Sequence, residues 1–352
     1  MKPLRPLYLL PALLWVLTPA LPAQEEEAFT ESETEFAAEG EVDDEDADEE
    51  LHIDTDGAKF DSAAATQQYE AEAAAGNAEA QYAFGLGYHN GLLQGPTWVH
   101  PLPVDLEKSL YWYRLAGEQG VGAASAAVGT AYKEGNGTEV DIDQAVAWWE
   151  RALQQGYSWA GLQLSLLFFR GEETDEDWER SFACLQRAAE ATLNEERPDD
   201  SILTMLGVYY DKGIGTEQDR TKALPLFQEA AERGNARATF MLGLYAAEGL
   251  AGLQQNPEQA YELFRSAAIK GDAEAQCNLG TAFATGTGVT KDMNSAVVWF
   301  RASALQGNAT AMVNLAKCCQ HGLGTEPDPD QAKAWLQKAA ARGNKDAAQM
   351  LK

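Results

Sequence analysis

The stretch Ala273-Glu-Ala-Gln-Cys-Asn-Leu-Gly280, followed by Gly286-Thr-Gly-Val289, Asp292, Trp299-Phe300 and Gly307-Asn308, decides the fold. Its parts return along the chain at intervals of about 36 residues, the mark of a unit that stacks on copies of itself. Asp292 has counterparts at Asp61, Asp105, Asp141, Asp177, Asp219, Asn256 and Asp328, each four residues before a small residue that opens an apolar stripe. A side-chain oxygen placed there accepts an N–H that the first helical turn leaves without a partner, so the column marks a series of helix starts. Gln144, Gln259 and Gln331 lie three residues after their caps, and Pro257 and Pro329 take the first helical position; both features favour the same start.

Within these helices a bulky pair recurs, as in Trp112-Tyr113, Trp148-Trp149, Leu226-Phe227 and Trp299-Phe300, with small pairs such as Ala230-Ala231 a turn further on. A ridge followed by a gap is the pattern of helix packed on helix. Gly120, Gly156, Gly234, Gly271, Gly307 and Gly343 end the helices, and Asn235, Asp272, Asn308 and Asn344 follow at once to begin another. That other helix carries a mid-helix glycine at Gly85, Gly129, Gly207, Gly243 and Gly280. Glycine there costs about 1 kcal/mol against alanine, so its return predicts close contact with a neighbour. Tyr88, Tyr132, Phe168, Tyr210 and Phe283, three residues beyond that position, read as core aromatics beneath the turn.

This pattern resembles the Sel-one-like repeat family, relatives of tetratricopeptide repeats. The residues that carry the resemblance are Ala78-Glu-Ala-Gln-Tyr-Ala-Phe-Gly85, Tyr132-Lys-Glu-Gly-Asn-Gly137, Gly213-Ile-Gly215, Gly286-Thr-Gly-Val289, and Lys222-Ala-Leu followed by Glu229-Ala-Ala-Glu-Arg-Gly234. The resemblance spans residues 61–352 and implies an all-α fold: a right-handed α/α superhelical solenoid of about seven helix pairs. A lone second-type helix at 61–75 opens the array and a lone first-type helix at 344–352 closes it. Three places depart from the pattern. Residues 91–104 insert a proline-rich loop that carries Trp98 and His100, the candidate partner-binding residues. The unit at 157–191 has Glu172 to Asp177 where others have paired glycines, which predicts a local change of pitch. Pro225 falls inside a second-type helix and predicts a slight kink.

The ends of the chain differ from the array. Lys2 and Arg5 precede an apolar run from Leu7 to Leu17, and small residues lead to Ala23. That is the layout of an export signal cleaved after Ala23, too short for the roughly 20 apolar residues of a membrane span. Residues 24–60 form an acidic segment: Glu25 to Asp56 hold 17 carboxylates and no Lys or Arg. Dense like charge with few large apolar groups predicts disorder. The whole chain carries 26 basic and 55 acidic side chains, net −29, which excludes nucleic acid as the default partner. A domain division of 1–23, 24–60 and 61–352 follows.

No catalytic, cofactor or metal residue is expected. The recurring Gly-x-Gly pairs lie between helices, whereas a dinucleotide site needs a preceding strand. The four histidines lack metal-ligand spacing. Cys184 reads as a buried thiol, and Cys277 could approach Cys318 or Cys319 on the next first-type helix, a pairing the sequence leaves open. Cysteine-rich relatives with paired cysteines in every repeat have been linked to β-lactam binding or hydrolysis. This chain lacks that pairing and has no Ser-x-x-Lys motif. The reading is therefore a non-catalytic protein–protein interaction scaffold or adaptor working through the concave groove of the array. Its partner is a protein with a basic surface, and no membrane insertion follows signal cleavage. It is exported, periplasmic or secreted. The alternative is a scaffold of a quality-control complex in the lumen of the endoplasmic reticulum, where Asn136-Gly-Thr138 and Asn308-Ala-Thr310 would be glycosylation acceptors.

Overall fold

The computed structural model describes residues 62–94, 99–171, 177–195 and 198–352. The expected signal and acidic segments lie outside the described residues. Sixteen helices and one hairpin make up the described part. A lone helix, α1 (Ser62–Ala74), is followed by α2 (Ala78–Asn90), the strands β1 (Leu92–Gln94) and β2 (Val99–Pro101), α3 (Leu106–Glu118), α4 (Gly122–Glu134), α5 (Ile142–Gln154) and α6 (Ser158–Arg170). Then come α7 (Trp178–Thr192), α8 (Asp200–Lys212), α9 (Arg220–Glu232), α10 (Ala236–Glu248), a short 3-10 turn (Leu250–Gly252) and α11 (Pro257–Ile269). The array ends with α12 (Ala273–Thr285), α13 (Met293–Leu305), α14 (Ala309–His321), α15 (Pro329–Ala341) and α16 (Lys345–Met350). Even-numbered helices from α2 to α14 are the first-type members, and each packs most closely on the odd-numbered helix that follows it. Contact passes from neighbour to neighbour, so the chain is an α/α solenoid.

The caps form as the sequence dictates. Asp105, Asp141, Asp177, Asp219, Asn256, Asp292 and Asp328 each accept a backbone N–H of the helix they precede. Asn77, Asp199, Asn235, Asp272, Asn308 and Asn344 do the same for first-type helices. First-type helices are the inner layer: α8 buries nine of its residues, whereas α9, which covers only one flank, buries three.

The mid-helix glycines touch aromatic rings. A Cβ added at Gly129 would lie 2.5 Å from the Trp149 indole, and at Gly207 or Gly243 it would lie 2.6 Å from the ring of Phe227 or Phe264. Gly85 meets Tyr113 and Gly280 meets Phe300 in the same way. In the third and seventh repeats the ring is replaced by Leu185 and Leu336, and the glycine position by Ser165 and Ala316. At this position the glycine goes with the ring; elsewhere in the third repeat Gly161 makes room for Ala188 instead. In the third repeat the Ser181 hydroxyl donates to the Ser165 carbonyl at 2.7 Å and shares a hydrogen bond of 2.9 Å with the Tyr209 hydroxyl, so the buried polar atoms are satisfied.

The second glycine of each Gly-x-Gly pair has a different task. Gly137, Gly215, Gly288 and Gly324 sit against the carbonyls of Leu106, Trp178, Pro257 and Met293, the first residues of the preceding second-type helices. A side chain there would collide with backbone, so these glycines set the spacing between repeats.

One expectation is corrected. Residues 91–104 are not simply a loop: Leu92–Gln94 pairs antiparallel with Val99–Pro101, with Leu93 opposite His100. Prolines exclude helix but allow an edge strand, and Leu93 is fully buried beside Ala73, Ala80 and Phe84. Cys277, Cys318 and Cys319 form no disulfide; all four thiols of the chain are free and buried. Pro225 lies inside α9, which is one helix from Arg220 to Glu232. Of the segment expected to alter the pitch, residues 172–176 lie outside the described part.

Candidate functional site

The first-type helices line one face of the array, and on that face the sequence departs from its own pattern around α4. At the second, fifth and sixth positions of α4 stand Ala123, Ala126 and Ala127. The same positions hold Arg237, Phe240 and Met241 in α10, and Glu274, Cys277 and Asn278 in α12. Alanines here leave a depression. Its walls come from Tyr82 and Leu86 of α2 on one side and from Tyr157 and Trp159 at the start of α6 on the other, with Tyr113 of α3 below. The result is an open cleft of about 270 Å³.

Two caps are given up beside it. α4 and α6 begin at Val121 and Tyr157, where no side chain accepts a helix N–H. For α6 the service comes from elsewhere: Ser158 N donates to Glu195 Oε1 at 3.1 Å. Tyr157 is thereby free to face the cleft, where its ring lies 6.3 Å from that of Trp159. Tyr82 and Tyr113 are 5.8 Å apart at the opposite wall. Burial raises all three phenol pKa values above the ordinary value of about 10. Tyr157 adds to the effect at Tyr82, Tyr82 at Tyr113, and Glu195 at Tyr157. The hydroxyls therefore remain neutral donors at physiological pH. No Asp, Glu, Lys, Arg or Cys lines the cleft; Asn90, Asn136 and Thr130 add amide and hydroxyl groups at its edge, and His89 adds an imidazole. Such a surface can stack, exclude water and form neutral hydrogen bonds.

A second cleft of about 240 Å³ occupies the equivalent place between α10, α11 and α12. It is walled by Tyr261, Phe264, Asn278 and three threonines, and has a single tyrosine.

Of the residues singled out from the sequence, His100 lies half-buried on β2 opposite Leu93 and does not line either cleft. Trp98 lies outside the described residues. Tyr88, Tyr132, Phe168, Tyr210 and Phe283 belong to the packing: Phe283 meets Tyr261 edge-on at 5.7 Å, and Arg180 lies over Phe168 at 3.9 Å. Among the described residues no group of three or more His, Cys, Asp or Glu is placed to hold a metal ion, and no helix is long and apolar enough to cross a membrane. The cleft escaped sequence reading because its floor is made of ordinary helix-forming alanines. The available signal was the loss of Asn or Asp at positions 121 and 157 of an otherwise regular cap column.

A profile of the Sel1 repeat matches seven stretches: residues 78–121, 122–157, 162–193, 203–235, 236–272, 273–308 and 309–344. The chain belongs to the Sel1 repeat family. Two solved Sel1-type structures share its architecture. One is c5321, a protective antigen present in uropathogenic Escherichia coli strains that displays an SLR fold; it is 30% identical, with a TM-score of 0.67, over 81% of this chain and 58% of the antigen. This chain thus spans less than two thirds of the antigen's length. The other is a Sel1 repeat protein from Oxalobacter formigenes, 28% identical, with a TM-score of 0.64, over 82% of this chain and 79% of that one. No curated protein matches the chain. Sel1 repeat proteins generally mediate protein–protein interaction and are generally non-catalytic.

Proposed function

We propose that this Sel1 repeat protein is a non-catalytic adaptor that acts outside the cytosol and holds a segment of another protein along the face of its first-type helices. The observation that carries the reading is the aromatic-walled cleft beside α4, an apolar recess with neutral hydrogen-bonding groups on a repeat scaffold. Residues from Gly57 onward hold 38 acids against 24 bases, a net −14, which favours a partner with exposed Lys or Arg. The leader ending at Ala23 supports export to the periplasm or beyond. The luminal alternative would use Asn136, which is half-buried, and Asn308 as glycosylation acceptors. The Asn308 side chain is buried and accepts from Ala311 N at 2.9 Å, which weighs against that acceptor.

Selection of short displayed peptides on the mature chain tests the adaptor reading. Enriched binders that weaken as salt rises are expected; a selection without binders overturns it. Repeating the selection with Trp98→Ala plus His100→Ala tests whether the hairpin is a second contact. N-terminal sequencing of the exported chain is expected to begin at Gln24, and a mature chain that keeps Met1 overturns the export reading.

A further inference from the structure

The cleft beside α4 carries an inference about what the partner presents. Its volume, about 270 Å³, falls below the roughly 300–1,000 Å³ of pockets for cofactors and other small molecules. It is open along one side and so admits a side chain delivered from an extended backbone. Its walls are Tyr82, Tyr113, Tyr157 and Trp159, its floor is alanine, no Asp, Glu, Lys or Arg lines it, and His89 stands exposed at its edge. A charged side chain buried there would lose its hydration with no counter-ion, whereas an aromatic or leucine-like group would gain ring contacts and shed water.

The ends of the cleft have the opposite character. Glu79 is three residues before Tyr82 on α2, and Glu134 is four residues after Thr130 on α4, so each shares a helix face with a lining residue. Both carboxylates are exposed; Glu79 stands at the start of α2, which forms one wall, and Glu134 at the end of α4, which forms the floor. Residues 62–171 hold eleven acids against five bases. A recess of rings and alanines between carboxylates is complementary to a bulky apolar side chain between cations.

Resting on the adaptor reading above, we propose that the cleft between α2, α4 and α6 is the anchor site for one aromatic or leucine-like side chain of an extended partner segment whose flanking residues are Lys or Arg. Tyr157 is the specificity element: it takes the place of the Asn or Asp cap found at other first-type helices, and Glu195 caps α6 in its stead.

The test uses the mature chain and a displayed library of short random peptides, from which the enriched peptide is resynthesised. The enriched sequences are expected to join a Trp, Tyr, Phe or Leu to neighbouring Lys or Arg. Affinity for the resynthesised peptide is expected to fall at least about tenfold with Ala127→Leu, which fills the recess, and with Tyr157→Asn, which removes a wall while restoring the cap. Asn278→Leu, at the position in α12 equivalent to Ala127, is expected to leave it unchanged. Thermal melting of Tyr157→Asn separates loss of the wall from loss of the fold. Peptides without the anchor-and-cation signature, or binding indifferent to both variants, overturn the anchor site while leaving the adaptor reading in place. A library without binders overturns both.

Discussion

Gly129 makes room for the indole of Trp149: the ring lies where a methyl group on that α-carbon would be, and its Nε1 donates to the Ala126 carbonyl at 3.2 Å. A glycine on the inner helix and a ring on the outer one form a single packing unit, repeated at Gly207 with Phe227 and Gly243 with Phe264. Gly129→Ala is expected to lower unfolding stability by about 1–3 kcal/mol through overpacking, read as a shift of the urea midpoint. Ala316→Gly, where Leu336 stands in place of a ring, has no collision to relieve and is expected to cost about 1 kcal/mol through helix propensity alone. Gly207→Ala should be partly rescued by Phe227→Leu, because the pair then matches what the seventh repeat already uses.

That unit also shows how much could be read before any coordinates. Caps are local requirements of the backbone, so the residue type at one position reveals them, and Asp105, Asn256 and Asp328 appear in the structure as helix caps; the mid-helix glycines answer to a ring on the next helix and show only because they recur. The cleft is a relation between helices separated by a whole repeat. Ala127 acquires meaning only when Tyr82 and Trp159 stand on either side of it. The hairpin was hidden for a similar reason: Leu93 gains from burial against Phe84, a tertiary contact that no turn signal announces. The pairing that the sequence left open for Cys277 is not made: its thiol, like those of Cys318 and Cys319, is free and buried.

Ala251 is the non-glycine residue with a positive φ, 56°, among the described residues. It stands two residues after Gly249, the place held by Gly137, Gly215, Gly288 and Gly324 in other turns. A side chain in the left-handed region costs about 1–2 kcal/mol, and the extra chain entropy of glycine returns about half of that. Ala251→Gly is expected to raise stability by about 0.5–1 kcal/mol in chemical denaturation, and Ala251→Val to lower it. An unchanged midpoint for Ala251→Gly would show that the turn relaxes without cost.

The four thiols are expected to be inert in the folded chain. Burial, with Glu274 close by, pushes the Cys277 thiol up to about 12; burial, with Glu150 close by, pushes Cys184 to about 11. Burial also raises Cys318 and Cys319. An alkylating or disulfide-exchange reagent at pH 8 should find almost no thiolate until the array unfolds, and then four reactive groups. Fast reaction of any one of them in the native chain would contradict the packing around it.

Asp211 supplies the most specific pH dependence. Its side chain is 3% exposed, and it accepts hydrogen bonds from Tyr245 Oη at 2.9 Å and Arg220 Nε at 3.0 Å, with Lys212 Nζ at 2.8 Å. Burial alone would raise its pKa, but Lys212, Tyr245 and Arg220 together hold it below the ordinary carboxylate value. A folded-state value below the unfolded one means that the carboxylate's contribution is complete above about pH 4 and is lost as pH falls through the folded value. The midpoint of urea unfolding should therefore decline steeply below about pH 4. Asp105, lowered first by the Lys108 backbone N–H, and Asp219 and Asp292, lowered first by the Thr221 and Ser295 hydroxyls, act in the same direction. Asp211→Asn is expected to cost about 2–3 kcal/mol at neutral pH, because Arg220 and Lys212 lose their shared counter-charge, and to flatten the acid limb without abolishing it. Tyr245→Phe removes one hydrogen bond, costs about 1–1.5 kcal/mol, and leaves the ion pairs to hold Asp211 charged. If Asp211→Asn had the wild-type acid slope, the caps alone would account for the pH dependence and the buried carboxylate would contribute nothing to it.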